Sequence, residues 1–116
     1  MFRFETLEVW KKSIITLDKL LDIADDLTNK NLFRFAEQLR GAGLSIPNNI
    51  AEATGCTTKK ESMAFLGYAK RSAYEVVSML VVFVRRKYII PGTKEQLVIE
   101  LEELCKMMSG FSRSLA

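Results

Sequence analysis

The 116-residue sequence contains no histidine, two prolines, six glycines and two cysteines. Without histidine, a histidine-based catalytic triad, an imidazole acid or base and every histidine-containing metal site are excluded. A small all-β domain needs many turns, and so few prolines and glycines cannot supply them. Cys56 and Cys105 lie far apart with no CxxC motif, so a four-cysteine zinc site is excluded as well.

Long apolar segments are also missing. The most apolar run covers residues 76–84 and is interrupted at Ser78, whereas a membrane-spanning helix needs about 20 residues. The first residues lead into a charged amphipathic stretch and not into an apolar signal segment. We therefore expect a cytoplasmic protein with reduced cysteines, no membrane contact, no metal and no cofactor.

The composition is that of a globular chain, with 48% hydrophobic and 27% charged residues. The length predicts a single domain over residues 1–116. The net charge of +3 is modest, but the signs are unevenly distributed. Residues 18–26 carry four acids against one base, and residues 59–87 carry seven bases against two acids. This asymmetry predicts a local basic surface.

Apolar residues recur at spacings of three and four in four segments, which predicts four amphipathic helices. The first covers residues 7–28 with Thr6 as its N-cap, and the second covers residues 33–54. The third begins at a capping box, Thr58-Lys-Lys-Glu61, and a second capping box at residues 93–96 predicts the start of the fourth. The predicted core positions are, in chain order, Leu7, Trp10, Ile14, Leu17, Leu21, Ala24, Leu39, Ala42, Ile46, Ile50, Ala53, Leu66, Ala69, Ala73, Val76, Leu80, Phe83, Leu97, Leu101, Leu104, Met108 and Phe111.

Helices of about 20 residues joined by short loops are typical of an all-α, antiparallel up-down-up-down four-helix bundle, and we predict this architecture. Pro47 lies inside the second helix, where it removes one backbone donor and crowds the carbonyl of Gly43. We expect the helix to continue through Pro47 with a kink near Gly43.

The third helix is apolar around nearly its whole circumference between Val76 and Val84. In a four-helix monomer about half of that surface would face water, and large exposed apolar patches usually mark an interaction site. We therefore predict self-association through Val77, Val81 and Val84. The alternative is a crowded core within one chain that covers both sides of the helix.

A polar stripe runs along one side of the second helix and consists of Gln38, Ser45, Asn49 and Glu52. One interpretation is a hydrogen-bonding surface for a ligand or a partner. The other is a solvated face, or a polar network that ties helices together near Pro47. Periodicity alone favours the second interpretation.

Three pieces of the sequence together resemble the 23S rRNA intervening-sequence protein family. They are Phe4-Glu-Thr-Leu-Glu-Val-Trp10, Ser45-Ile-Pro-Asn-Asn49-Ile-Ala-Glu52 and Ser72-Ala-Tyr-Glu75. Ala53 and Arg71 depart from the pattern, because the family usually has glycine at both places. The resemblance implies an antiparallel four-helix bundle, a ring-like homopentamer and no enzymatic activity, with RNA or DNA as the suspected ligand.

The leading functional prediction is a non-catalytic homo-oligomer that binds RNA or another nucleic acid through basic residues. The candidates are Arg34, Arg40, Lys59, Lys60, Lys70 and Arg71. The alternative is a protein-interaction scaffold or accessory subunit that binds no nucleic acid. An enzyme built on Glu52 and Glu75 is disfavoured, because no nucleophile, metal cluster or phosphate loop accompanies them.

Overall fold

The computed structural model describes residues 1–115 and contains four α-helices. A short 3₁₀ helix, Arg3–Thr6, precedes α1 (Glu8–Asn29), α2 (Phe33–Thr54), α3 (Lys59–Arg85) and α4 (Pro91–Ser114). No strand occurs in residues 1–115, so the predicted all-α four-helix fold is confirmed. Across the same residues, no helix combines the length and the apolarity that a membrane span requires.

The four helices pack in a closed ring in which α1 contacts α2, α2 contacts α3, α3 contacts α4 and α4 contacts α1. The helices α1 and α3 therefore lie at opposite corners of the bundle. Where α2 and α3 contact each other, residue numbers rise along α3 as they fall along α2, so the two helices run in opposite directions. The Ser62 hydroxyl donates to the Ala53 carbonyl, and the Ser72 hydroxyl donates to the Ser45 hydroxyl. The molecule measures 44 × 22 × 21 Å, and its length matches that of the helices.

Three predicted helix starts have different outcomes. The Thr58 side chain accepts a hydrogen bond from the Glu61 backbone N–H at 3.2 Å, so the first capping box is confirmed. The second is wrong, because α4 begins two residues earlier with Pro91, a residue that suits the first helical turn. The predicted Thr6 cap is also wrong. Leu7 occupies the N-cap position of α1, while the Thr6 hydroxyl donates to the Arg3 carbonyl.

The two threonines give a matched test of the capping geometry. Thr58→Ala removes the acceptor for the Glu61 N–H and should lower the free energy of unfolding by about 1 kcal/mol. Thr93→Ala changes the same atoms in a residue that caps no helix and should change it by less than about 0.5 kcal/mol. Urea denaturation followed by circular dichroism measures both. Equal losses in the two variants would contradict the assignment of the cap.

The core confirms the predicted apolar faces of α2, α3 and α4, apart from a half-buried Phe111. The predicted face of α1 is confirmed only in part. Leu17 and Ala24 are buried as expected. Leu7 and Trp10 are partly buried and pack against the core, whereas Ile14 and Leu21 are partly buried outside it. The core side of α1 instead consists of Val9, Ser13, Thr16, Leu17, Leu20, Ala24 and Leu27.

Two buried hydroxyls explain this rotation of α1. The Ser13 hydroxyl donates to the Trp10 carbonyl at 2.6 Å, and the Thr16 hydroxyl donates to Glu100 Oε1 at 3.0 Å. Because both are hydrogen-bonded, their burial costs little. The core face of α1 can therefore include polar residues that an apolar pattern passes over.

Pro47 is buried inside α2, and the helix continues through it from Phe33 to Thr54. The kink remains a prediction. The Gly43 carbonyl has no donor four residues along the helix, because Pro47 has no backbone N–H. Gly43 also matters for packing on the side that faces α1. A Cβ atom there would lie 3.2 Å from Leu17 Cδ1 and 3.3 Å from Leu20 Cδ1, so glycine permits close packing of α1 on α2.

Candidate interaction surfaces

The outward side of α3 carries a row of exposed cations, Lys60, Arg71 and Arg85, which we call the basic ridge. The residues are separated by 11 and 14 positions, roughly three and four helical turns, so they share one face over about 38 Å. Among residues 1–115 none of the three forms an ion pair. The ridge therefore presents positive charges that the monomer itself does not neutralise.

An aromatic ring lies beside the centre of this ridge. The Arg71 guanidinium carbon lies 5.0 Å from the centroid of the Tyr68 ring, within the range of a cation–π contact. Tyr68 is 45% exposed. Lys59 is exposed next to Lys60 at the start of α3. The Tyr68–Arg71 pair thus combines a planar cation, suited to phosphate, with an accessible aromatic surface.

Arg40, another predicted nucleic-acid contact, has its charge engaged within the monomer. Its guanidinium pairs with Asp25 of α1 at 2.9 Å and with Glu37 at 2.8 Å, and it also donates to the Thr28 hydroxyl. The hydrogen bond to Asp25 is the main reason why the pKa of Arg40 is raised above its ordinary value. Arg40 therefore ties α2 to α1.

The remaining predicted cations are dispersed. Lys70 lies at the α3–α4 boundary, where its Nζ donates to the Ser109 hydroxyl at 2.6 Å. Arg34 is exposed at the opposite end of the bundle from Lys59, because its neighbour Phe35 packs against Phe83 near the end of α3. The six candidates thus do not form one continuous surface.

The predicted basic surface over residues 59–87 includes Arg85, Arg86 and Lys87, but the six candidate nucleic-acid contacts do not. All three are exposed where α3 ends. An Arg-Arg-Lys run at this place has two explanations, because cations also suit a helix C-terminus. Their placement extends the basic ridge toward the end of the bundle that holds Arg34.

The polar stripe of α2 separates into two parts. The Asn49 side-chain amide donates to the Ser45 carbonyl at 2.8 Å and hydroxyl at 2.9 Å, and Ser72 of α3 donates to the same hydroxyl. These bonds support the interpretation as a network that ties helices together. Gln38 and Glu52 are exposed and stand outside it.

The two carboxylates considered for catalysis are not brought together. Both Glu52 and Glu75 are exposed. The pairing of Ala53 with Ser62 places them about 18 Å apart along the bundle axis. If two carboxylates are to act as general acid and general base on one substrate bond, both must lie within hydrogen-bond reach of the reacting atoms. This separation therefore gives no support for an active site.

An open apolar groove of 410 Å³ runs between α3 and α4. We call it the α3–α4 groove, and it is lined by Ala73, Tyr74, Val77, Val98, Leu101, Glu102, Cys105 and Lys106. Tyr74 is 73% exposed at its edge, which leaves an apolar ring open to solvent. Burial raises the pKa of the Cys105 thiol, and the positive charge of Lys70 offsets part of that rise.

The three valines of the predicted self-association surface differ in exposure. Val77 is partly buried and packs against the core from the α3–α4 groove. Val81 is 48% exposed, and Val84 is half-buried. Part of this apolar surface is thus covered by the chain's own α4, and part remains open.

The fold and its surfaces define a small helical-bundle protein with exposed basic and apolar faces. In residues 1–115, no three potential metal ligands lie together. The chain belongs to the 23S rRNA-intervening sequence protein family, whose family model matches residues 5–110. This confirms the resemblance that the Ser45–Glu52 motif indicates.

A solved structure has the same fold. It is a protein of unknown function from the S23 ribosomal protein family of Bacteroides thetaiotaomicron. The two chains are 24% identical and superpose with a TM-score of 0.84. The alignment covers 90% of this chain and 97% of the other. No curated protein matches the sequence.

Proposed function

We propose that the protein is a non-catalytic homo-oligomer, a pentamer as the family resemblance implies, that binds RNA or another nucleic acid through the basic ridge. The observation that carries this proposal is the single row of exposed, unneutralised cations at Lys60, Arg71 and Arg85. Phosphate contacts from such a row need no base-specific geometry, and they supply most of the affinity of non-specific binding.

Self-association is part of the proposal because one protomer offers few phosphate contacts. A single ridge should therefore bind weakly at physiological salt. Several ridges in one assembly engage the same nucleic acid at high effective concentration, which raises the overall affinity without any new type of contact. The exposed Val81 and Tyr74 supply apolar surface for such an assembly.

Nucleic-acid binding is tested with two matched single-charge variants, Arg71→Gln on the basic ridge and Lys30→Gln at the end of α1. Fluorescence anisotropy with a labelled single-stranded RNA measures the affinity across a salt series. For the wild type we expect binding at low salt that weakens steeply toward physiological salt. Arg71→Gln should make the slope of log K against log salt shallower by roughly 0.7 for each RNA phosphate that the variant no longer neutralises.

Lys30→Gln is the control, because Lys30 is exposed just after α1, lies outside the basic ridge and the proposed assembly surfaces, and pairs with Asp26 at 2.9 Å. It should leave both the affinity and the slope unchanged. An intact oligomer that binds no RNA at low salt would contradict the proposal and favour the protein-interaction scaffold. Equal effects of the two variants would contradict the assignment of the ridge.

A further inference from the structure

The outward side of α1 is an acidic ridge with one apolar residue in it. Lys11, Ile15, Asp18 and Asp22 share this exposed face. Ile15 is 57% exposed and, of the described residues of α1, is the one large apolar side chain left open. Within residues 1–115, neither Asp18 nor Asp22 forms an ion pair. The face thus has an apolar knob followed by two uncompensated carboxylates.

The α3–α4 groove has the complementary character. Its apolar walls include Tyr74, Val77 and Val98. Lys106 and Glu102 line it, and Lys70 of α3 donates to the Ser109 hydroxyl of α4 beside it. The groove therefore combines an apolar floor with one lysine and one glutamate in its lining and a second lysine next to it, and it can accept an apolar side chain flanked by carboxylates.

The acidic ridge and the groove cannot meet within one copy, because α1 and α3 occupy opposite corners of the bundle. We propose that the acidic ridge of one copy occupies the α3–α4 groove of the next, with Ile15 against Val77 and with Asp18 and Asp22 near Lys70 and Lys106. This inference rests on the self-association proposed above and names the two surfaces that carry it.

Such contacts are heterologous, since each copy uses two different patches. Repetition of a heterologous contact produces a closed ring or an open filament and never a two-fold dimer. Lys60 and Arg71 do not line the groove, so the proposed contact does not use the charges of the basic ridge. Burial of Ile15 provides the apolar contribution, and the opposite charges select the correct pairing of faces.

The test uses one variant for each surface. Ile15→Asp places a carboxylate on the acidic ridge where the groove needs an apolar group, and Tyr74→Asp places one at the edge of the groove. Both positions are exposed, so the fold should be retained, and circular dichroism checks this. Sedimentation velocity should show an oligomer for the wild type and a monomer for each variant alone.

An equimolar mixture of the two variants gives the decisive result. The Ile15→Asp copy retains an intact groove and the Tyr74→Asp copy retains an intact ridge. The mixture should therefore form a heterodimer with twice the monomer mass and no larger species. Leu44→Asp, which changes an exposed apolar residue of α2, is the matched control and should leave the wild-type oligomer intact.

Two outcomes would overturn the inference while self-association stands. One is an intact oligomer in Ile15→Asp, and the other is a mixture that remains monomeric although the wild type assembles. A wild-type protein that stays monomeric at the highest concentration would overturn the self-association proposed above and this inference with it. These failures are distinguishable because the wild-type mass is measured first.

Discussion

Phe83→Ala is expected to destabilise the bundle by about 3–5 kcal/mol. Phe83 is 1% exposed, and its ring centroid lies 6.0 Å from that of Phe35 and 6.2 Å from that of Tyr88. Truncation removes the ring and its contacts with Phe35 and Tyr88, and it leaves a cavity where the end of α3 packs against α2. Because domains of this size are stable by roughly 5–15 kcal/mol, the loss is a large share of the total.

Guanidinium chloride denaturation at one fixed protein concentration measures this effect. Val82→Ala is the control, since Val82 is the adjacent residue on α3 and is exposed. Its truncation should cost less than about 1 kcal/mol. A loss in Phe83→Ala no larger than in Val82→Ala would contradict the position of Phe83 in the core.

Gly43→Leu is expected to lower the free energy of unfolding by about 1–3 kcal/mol. A Cβ alone would already contact the side chains of Leu17 and Leu20 at 3.2 and 3.3 Å. A full leucine side chain must therefore push α1 away from α2 and disturb the core rows of both helices. Thermal unfolding of the variant should begin at a lower temperature than that of the wild type.

Gly41→Leu makes the same substitution two residues away, where no atom lies within 4 Å of an added Cβ. Leucine is a better helix former than glycine, so this variant should gain roughly 0.5–1 kcal/mol. The two substitutions thus have opposite expected signs. A gain in both variants would show that helix propensity and not the approach of α1 decides their effect. A loss in both would contradict the open space beside Gly41.

The buried residues of α2, α3 and α4 could be predicted from the sequence because each of these helices has one dominant apolar face. Ile46 and Ile50 of α2, for example, have polar neighbours on the other side of the helix. In α1 the adjacent pairs Ile14–Ile15 and Leu20–Leu21 allow more than one face to appear apolar. The observed face includes Thr16, and its hydrogen bond to Glu100, 84 residues away, is absent from any local pattern.

The start of α4 shows a different limit. Pro91 and the 93–96 capping box are both sound helix-start signals, and they lie two residues apart. Proline prevailed because its missing N–H and fixed φ suit the first helical turn without any side-chain partner. When two helix-start signals overlap in this way, sequence rules do not decide which of them begins the helix.

The sequence predicts a basic surface only from the number of lysines and arginines in residues 59–87, and it does not show which of them remain unpaired. Arg40 and Arg71 look equivalent in the sequence, as exposed cations on helices. Packing of α1 on α2 brings Asp25 to Arg40 and engages its charge, whereas Arg71 lies against the Tyr68 ring and forms no ion pair within residues 1–115. Which cations remain available is therefore a property of the tertiary structure, and the basic ridge emerges only there.

The first and last helices of the chain meet through polar pairs. Lys19 Nζ lies 2.7 Å from Glu100 Oε2, and Lys12 pairs with Glu103. Sliding α4 by one turn would bring Leu104 or Gln96 to the level of Glu100. Leu104 would leave the buried Thr16 hydroxyl without an acceptor, and Gln96 would leave Lys19 without its carboxylate. These pairs therefore fix the register of α4 against α1.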